Sequence, residues 1–360
     1  MKKLLSLLGA ISLTATVLSS VVACNKKEEN NKNSKFGIIN GFNGEIHRII
    51  NEKNKLYVGT KINNNKGKLY SVDLKNNNEV TEITGIEGAV YNLSIWKDKL
   101  YVGTKINNKG KLYSVDIKDN NEVTEITKTE IKGEIHNLSI WEDNLYVGTK
   151  INNNKGKLYS VDLKNNNEVT EITGINGEVD ALIAFDNKLY VGTVTDYISD
   201  IGKFYCVDLK DNNKITEIST TSFIKGTIFS FSKSVNNNYI YFGTILSSFN
   251  GGIYSVDLKD NNKITKITEI DGAVVRLIIE NNKLYASIKI KTGITDGHNY
   301  TYDGELYSVD LKDNNKITKI NKTFNGVVYG LVVINDAIYI GETETSQDSK
   351  NSSKINWFKM

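Results

Sequence analysis

The residues with the clearest capacity for ligand chemistry are two arginines. Of the 45 basic residues in the chain, only Arg48 and Arg276 are arginines, and each stands four residues after the glycine of a repeated segment. A guanidinium offers a planar fork of donors that matches a carboxylate or a phosphate, which a lysine ammonium does not. Because His47 precedes Arg48 and Tyr329 holds the neighbouring register in another repeat, we expect these four residues to form an anion-accepting pocket.

The position three residues after the same glycine also varies and carries polar groups, whereas the positions on either side of these two variable positions stay apolar. Its occupants are His47, Tyr91, His136, Asp180, Phe229, Val275 and Tyr329. We add Tyr91, His136 and Asp180 to the four residues above as the candidate ligand-binding set. An alternative stays open, in which each arginine pairs with a local acid such as Glu45 or Glu280 and braces its own repeat.

The sequence does not predict a catalytic or metal-binding set. The three histidines, His47, His136 and His298, are dispersed along the chain, which is more typical of solvated side chains than of metal ligands. Asp296, His298 and Asp303 share one long insertion and could gather a cation, but they lack a fixed ligand spacing. We therefore expect no catalytic residue, no metal and no cofactor.

These candidate residues lie on a repeated unit that contains four recurring segments. The segment LYVGT at residues 56–60 begins again at Leu100, Leu145, Leu189, Ile240, Leu284 and Ile338. Segments of the types LYSVD and VTEIT accompany it, and a fourth segment opens with Gly44, Gly88, Gly133, Gly177, Gly226, Gly272 and Gly326. Each is short, rich in β-branched and aromatic residues, and bounded by Asn, Asp, Gly and Lys. Seven units of four strands predict an all-β fold, a seven-bladed β-propeller of four-stranded antiparallel blades.

The two ends of the repeat region predict how the ring closes. The seventh unit has three segments, and residues 36–40 precede Gly44 at the offset by which residues 80–84 precede Gly88. We therefore expect the N-terminal strand to complete the last blade. That arrangement covers a strand edge that would otherwise present unpaired backbone groups.

The pattern LYVGT, a variable loop and GKLYSVD is similar to bacterial propeller repeats of the regulator-propeller and YVTN type, over residues 36–358. This resemblance implies the propeller fold and leaves the ligand open, since propellers host many functions. Tyr57 and its equivalents stand where some of those repeats have tryptophan, so the resemblance does not assign a subfamily.

The loops predict which face of the ring binds. If the strands are named A to D outward from the axis, with A after the glycine, the D-to-A and B-to-C loops share one face. The C-to-D turns on the other face are monotonous, as in KNNN at residues 75–78, whereas the B-to-C loops range from residues 61–67 to the insertion at residues 289–304. Variable loops on a rigid scaffold usually carry binding, so we expect the site on this face, which we call the variable-loop face.

The N-terminus predicts export and lipid anchoring. Lys2 and Lys3 precede an uncharged apolar stretch, and VVAC at residues 21–24 follows it, which are the parts of a secretory signal. VVAC resembles the lipobox of bacterial lipoproteins, and the signal with its tether resembles the lipoproteins of mollicutes. The resemblance implies a signal peptide at residues 1–23, lipidation of Cys24 with a flexible tether to residue 35, and the propeller at residues 36–360. An ordinary signal or an uncleaved anchor is the alternative.

Charge and repetition narrow the function further. Loss of Lys2 and Lys3 lowers the net charge of +3 to about +1, so we expect no nucleic-acid partner. Residues 56–86 and 145–175 are identical, and such near-identical blades favour a broad binding surface over a catalytic site assembled from several blades. We expect a membrane-anchored extracellular recognition or adhesion module for a macromolecule or glycan, and not an enzyme. The alternatives are a lactonase-like or other hydrolase, or a small-ligand-binding or envelope assembly factor.

Overall fold

The propeller predicted from the sequence is confirmed. The computed structural model describes residues 35–126, 131–151, 154–196, 201–218, 224, 226–234, 238–295, 299–343 and 352–360. Over these residues the chain forms seven four-stranded antiparallel sheets. Within this part of the chain we find no helix with the length and apolar character needed to cross a bilayer. The predicted signal peptide, Cys24 and most of the predicted tether lie outside the described residues.

Strands A to D follow one another in the chain within each of the first six blades. Blade one contains β2 (Glu45–Glu52), β3 (Lys55–Lys61), β4 (Leu69–Asp73) and β5 (Glu79–Ile83); blade two contains β6 (Ala89–Trp96), β7 (Lys99–Ile106), β8 (Lys109–Asp116) and β9 (Glu122–Glu125). Blade three contains β10 (Glu134–Trp141), β11 (Asn144–Lys150), β12 (Leu158–Asp162) and β13 (Glu168–Ile172); blade four contains β14 (Glu178–Phe185), β15 (Lys188–Asp196), β16 (Ile201–Asp208) and β17 (Lys214–Glu217).

The remaining blades include the longest strands and the closure. Blade five contains β18 (Thr227–Lys233), β19 (Tyr239–Ile245), β20 (Gly251–Asp257) and β21 (Lys263–Ile270); blade six contains β22 (Ala273–Glu280), β23 (Lys283–Thr295), β24 (Asn299–Asp310) and β25 (Lys316–Asn325). Blade seven contains β26 (Leu331–Ile334), β27 (Ala337–Thr343), β28 (Ser352–Lys359) and β1 (Phe36–Asn43).

Burial falls from the inner strands to the outer ones. In β3, residues 56–60 are all buried, because neighbouring blades cover both faces of this strand. In the outermost strand of the same blade, β5, only Ile83 is buried. This difference explains why the LYVGT segments lack the polar–apolar alternation of a strand with one solvated face.

The C-to-D turns, on the face opposite the variable loops, adopt backbone conformations that suit their asparagine and aspartate residues. Asn77 and Asn78 both adopt left-handed backbone conformations, with φ of 49° and 56°, which asparagine tolerates better than most residues. Asp73 Oδ1 accepts hydrogen bonds from the backbone N–H groups of Lys75 (2.9 Å) and Asn76 (3.2 Å). The recurring aspartate of strand C therefore organises the turn.

The long insertion of blade six differs from the expected loop. It extends β23 and β24 into a hairpin whose pairing continues from Lys289↔Gly304 to Thr295↔Asn299. The insertion is rich in Ile, Thr and Tyr, which favour strands. Asp303 pairs with Ile290 in this hairpin. Residues 296 and 298 of the proposed cation cluster lie outside the described residues.

The ring closes as the sequence predicts, with β1 as the outer strand of blade seven. β1 pairs with β28, and Ile39 lies opposite Ile355. Ile39 is 3% exposed within an apolar cluster, whereas its neighbour Ile38 is 55% exposed. The closing strand therefore contributes one buried and one solvated face.

This difference gives a test of the closure. We expect Ile39→Ala to lower the free energy of unfolding by about 3 kcal/mol, because it removes a buried side chain and leaves a cavity. The matched control Ile38→Ala changes it by less than about 0.5 kcal/mol. Urea unfolding followed by tryptophan fluorescence measures both variants. Equal and small effects would mean that β1 does not seal blade seven.

Candidate binding site at the channel mouth

A repeated β-bulge positions the candidate residues. In each of the first six blades, the pairing of strand A with strand B skips the third residue after the glycine, as between Ile46 and Arg48 in blade one. The same shift occurs in blades two to six. A bulge sets two residues against one on the partner strand and bends the bulged strand. In each of these six blades the third residue after the glycine lines a cavity at the mouth of the central channel, and in blades two, three and six the fourth residue lines it as well.

One cavity at the variable-loop face gathers most of the candidates. It measures about 300 Å³ and opens among the first residues of the A strands and the last residues of the B strands. Its lining includes six of the seven candidate residues, namely His47, Tyr91, His136, Asp180, Arg276 and Tyr329. Lys61, Asn92, Asn137, Lys150, Phe229 and Val275 complete it. We call this space the mouth cavity.

Four rings from successive blades form an arc around the mouth cavity. The imidazole of His47 stacks on Tyr329 with ring centroids 4.9 Å apart, and it meets Tyr91 edge-on at 4.8 Å. Tyr91 in turn stacks on His136 at 5.1 Å. Asp180 continues the arc, with its Oδ1 3.8 Å from His136 Nδ1. Blades seven, one, two and three thus present aromatic surface, and blade four presents a carboxylate.

Burial shifts the ionisation of two of these rings. Burial raises the pKa of Tyr91 to about 12, and the carboxylates of Glu134 and Glu45 add to the effect. The pKa of Tyr329 is also raised, mainly because this phenol is buried. Both phenols therefore stay protonated at neutral pH and can donate a hydrogen bond.

Acidic residues directly after the glycine support the arc from its outer side. Glu45 Oε2 lies 3.1 Å from His47 Nε2, and Glu134 Oε2 lies 3.3 Å from His136 Nε2. Burial acts to raise the pKa of Glu134, but the hydrogen bonds from His136 and Lys105 outweigh it and hold the pKa below its ordinary value. Each acid therefore fixes the orientation of a histidine two residues further on.

Lysines at the ends of the B strands pair with the acids of the next blade. Lys105 Nζ lies 2.8 Å from Glu134 Oε1, and Lys150 Nζ lies 2.8 Å from Glu178 Oε2. Lys61 is the equivalent lysine of blade one, but blade two has Ala89 at the position of these acids. Lys61 Nζ instead lies 5.9 Å from the centre of the Tyr91 ring. A cation thus stands beside the aromatic arc.

The fourth residue after the glycine ties its blade to the next one. Asn92 Nδ2 donates to the carbonyl oxygen of His136 (3.1 Å), and Asn137 Nδ2 donates to that of Asp180. Arg276 Nε donates to the carbonyl oxygen of Tyr329 at 3.2 Å. Arg276 therefore braces blade seven through a backbone oxygen, and we find no ion pair from it to Glu280 among the described residues.

Arg48 departs from the expected pocket. It lines a second cavity of about 320 Å³, together with Arg276 and with residues nearer the A-to-B turns such as Asn51 and Ser94. Its Nε and Nη1 atoms are buried and have no acceptor within the part of the chain that the structure describes. The two arginines share this second space, which we call the turn-side cavity, whereas His47 and Tyr329 line the mouth cavity.

Several residues of the site were missed by sequence reasoning. Lys61, Lys150 and the acids Glu45, Glu134 and Glu178 all belong to the mouth cavity or its support. The available signal was the lysine that follows LYVGT in three blades and the acid that follows the glycine in three. Among the described residues, no group of three or more His, Cys, Asp or Glu could hold a metal ion.

Comparisons with known proteins define the fold class. No protein-family model matches the chain, and no curated protein matches it. Among solved structures, the WD40 repeats of RRP9 match with a TM-score of 0.64 and 10% identity, covering 90% of this chain and 98% of that one. The WD40 β-propeller domain of Doa1 matches with a TM-score of 0.60 and 11% identity, covering 90% and 97%. The Dos1 propeller matches with a TM-score of 0.59 and 14% identity, covering 89% and 93%.

Identities this low establish the fold alone. The chain is a seven-bladed β-propeller. A specific function has to be argued from the site, because one fold hosts many functions.

The lysine–glutamate pairs give a test of how the mouth is built. We expect Lys105→Met to lower the free energy of unfolding by about 3 kcal/mol, because it leaves the buried Glu134 carboxylate without its lysine. The control Lys61→Met, at the equivalent position opposite Ala89, lowers it by less than about 1 kcal/mol.

The same test has a defined pH dependence. The depressed pKa of Glu134 means that its stabilising contribution is present above its ordinary pKa of 4.5 and is lost as the pH falls through the folded-state value. The deficit of Lys105→Met relative to the wild type should therefore shrink in urea unfolding below pH 4.5. A deficit that stays constant, or one that Lys61→Met shares, would contradict the pairing.

Proposed function

We propose that the protein is a lipid-anchored recognition module that binds a macromolecule or glycan at the mouth cavity on its variable-loop face. The observation that carries this proposal is the arc of four rings bordered by a carboxylate and a lysine. Aromatic and imidazole rings combine apolar faces with polar edges and lose little conformational entropy on binding. Asn92 and Asn137 add amide groups to the same lining.

The hairpin of blade six enlarges this surface. Tyr302 lies on the hairpin strand β24, and its ring is 5.4 Å from that of Phe249, which belongs to the B-to-C loop of blade five. Lys289 Nζ lies 3.7 Å from the centre of the Tyr302 ring and influences the ionisation of Glu45. Lys289 therefore lies close to the aromatic pair of the loops and helps to lower the pKa of Glu45, the acid beside His47.

The composition of this surface favours a partner larger than a metabolite. Rings, amides and lysines extend from the channel mouth to the loops of blades five and six, and interfaces with macromolecules are enriched in such aromatic anchors. The near-neutral chain lacks the broad basic footprint of nucleic-acid binding. A glycan or a protein at the cell surface is the class of partner that suits both features.

Binding can be measured with residues 25–360, which contain every strand of the closed ring. We expect saturable binding on an array of glycans and surface proteins, and at least tenfold weaker binding by a Tyr91→Ala, His136→Ala double variant, because two rings of the arc are lost. The control double variant Lys75→Ala, Lys118→Ala changes two exposed lysines of the opposite face and should bind as the wild type does.

Each other outcome has a defined meaning. Binding that survives the loss of Tyr91 and His136 would place recognition outside the mouth cavity. If the wild type binds nothing on the array, the recognition proposal fails. A divalent ion that copurifies with the wild type would then support the hydrolase alternative.

The membrane anchor rests on the VVAC motif and has its own test. We expect palmitate-labelled protein in the detergent phase when the full chain is expressed in a lipoprotein-processing bacterium, because two acyl chains anchor a protein stably. Cys24→Ser should lose both the label and the partitioning. The matched control Cys206→Ser, which replaces the other cysteine in the chain, should retain both. Label retained by Cys24→Ser would refute the lipoprotein proposal.

A further inference from the structure

The turn-side cavity shares Arg276 with the mouth cavity, but its other lining residues are different. Its lining combines apolar residues such as Ile50 and Phe231 with the polar residues Asn51 and Ser94, and Asn51 is exposed near an A-to-B turn. Its volume of about 320 Å³ is at the lower end of small-molecule pockets, ~300–1,000 Å³. The cavity therefore suits a small ligand that enters from the face opposite the variable loops.

The charged residues lining this cavity are both arginines. Arg48 and Arg276 line it, and no carboxylate is among its lining residues. Burial without a counter-charge lowers the pKa of Arg48 to about 10. A guanidinium in such surroundings is stabilised by any anion that reaches it, because a buried charge is costly unless it is paired.

Arg48 does not make the hydrogen bond between blades that residues at the same position in other blades make. Asn92, Asn137 and Arg276 each donate to the backbone carbonyl of the following blade. Arg48 holds the same register, but its buried Nε and Nη1 atoms have no acceptor among the described residues. The residue that could brace blade two therefore keeps unused donors and lines the turn-side cavity.

We propose that the turn-side cavity is a binding site for a small organic anion, whose carboxylate or phosphate group is held by the guanidinium of Arg48 with Arg276 beside it. Asn51 and Ser94 provide further polar groups along the cavity. The apolar walls accommodate a short hydrocarbon body attached to the anionic group. This site is additional to the mouth cavity and does not rest on the recognition function proposed there.

The choice of arginine supports an oxyanion as the ligand. Arginine presents parallel N–H donors that match two oxygens of a carboxylate or phosphate, whereas lysine acts as a point charge. The chain uses lysine for its other 43 basic residues and arginine at these two positions, which line one cavity. Lysine would supply charge alone, so the residue type indicates a bidentate ligand.

The proposal is tested with residues 25–360 by calorimetric titration and by thermal unfolding at constant ionic strength. The probes are sodium butyrate, inorganic phosphate and sodium chloride. We expect butyrate or phosphate to bind and to raise the Tm, while chloride at equal ionic strength does not. Tighter binding of butyrate would assign the ligand to small carboxylates, and tighter binding of phosphate would assign it to phosphate esters.

Variants distinguish specific binding at Arg48 from a general effect of the protein's positive charge. Arg48→Gln should weaken binding at least tenfold and abolish the Tm increase, and Arg48→Lys should weaken it because the charge remains but the fork is lost. Lys61→Gln removes one positive charge from the opposite mouth and should bind the anion as the wild type does. If Arg48→Gln affects folding, Arg48→Lys, which keeps the charge, provides the comparison.

Two results would overturn the proposal. One is a Tm increase that Arg48→Gln retains, and the other is the absence of any anion-dependent change in the wild type. Failure here is distinguishable from failure of the recognition function. Arg48→Gln should leave array binding intact, whereas the Tyr91→Ala, His136→Ala variant should keep anion binding.

Discussion

Six of the seven blades pack against the next through a glycine in strand B, and the ring depends on this contact. A Cβ atom on Gly59 would lie less than 3.0 Å from the side chain of Val90 in the following blade. The same close approach joins five further pairs, Gly103 with Ile135, Gly148 with Val179, Gly192 with Ile228, Gly243 with Val274, and Gly341 with Ile46. In blade six the position is Ser287, whose hydroxyl donates to the carbonyl oxygen of Val328 at 2.8 Å. The glycine of LYVGT therefore leaves room for the β-branched residue two positions after the strand-A glycine of the next blade, and the two positions depend on each other.

This packing also explains where the binding residues can vary. The second residue of strand A is fixed by the neighbouring blade's glycine, and the fifth contributes to the apolar cores, as Ile49 and Leu93 do. The bulge inserts two residues between these fixed points and turns them to the channel. Several of their side chains line the mouth cavity or bond the next blade's backbone, as Asn92 and Asn137 do, whereas Ala181 packs in an apolar core. The chain can therefore place an arginine, an asparagine or an alanine there without altering the scaffold.

The sequence predicts the propeller scaffold well, but it does not predict which of the two cavities each candidate residue lines. Strand order, blade number and closure by β1 follow from repeated segments whose spacing leaves little choice of topology. The separation of Arg48 from His47 does not follow, because the direction of two adjacent side chains after a bulge departs from simple strand alternation. The pairs of Lys105 and Lys150 with acids of the next blade were missed for a related reason. Contacts between blades join residues that no single repeat contains.

Near-identical blades provide an internal comparison for the arginine. Blades one and three share an identical stretch of 31 residues from strand B onward, residues 56–86 and 145–175, and their A strands begin with the same four residues, GEIH. The next residue is Arg48 in blade one and Asn137 in blade three. Asn137 bonds the backbone of blade four, whereas the buried Nε and Nη1 of Arg48 bond none of the described residues. Since both residues stand on the same scaffold, the arginine is not required by the architecture of its own blade, and it lines the turn-side cavity.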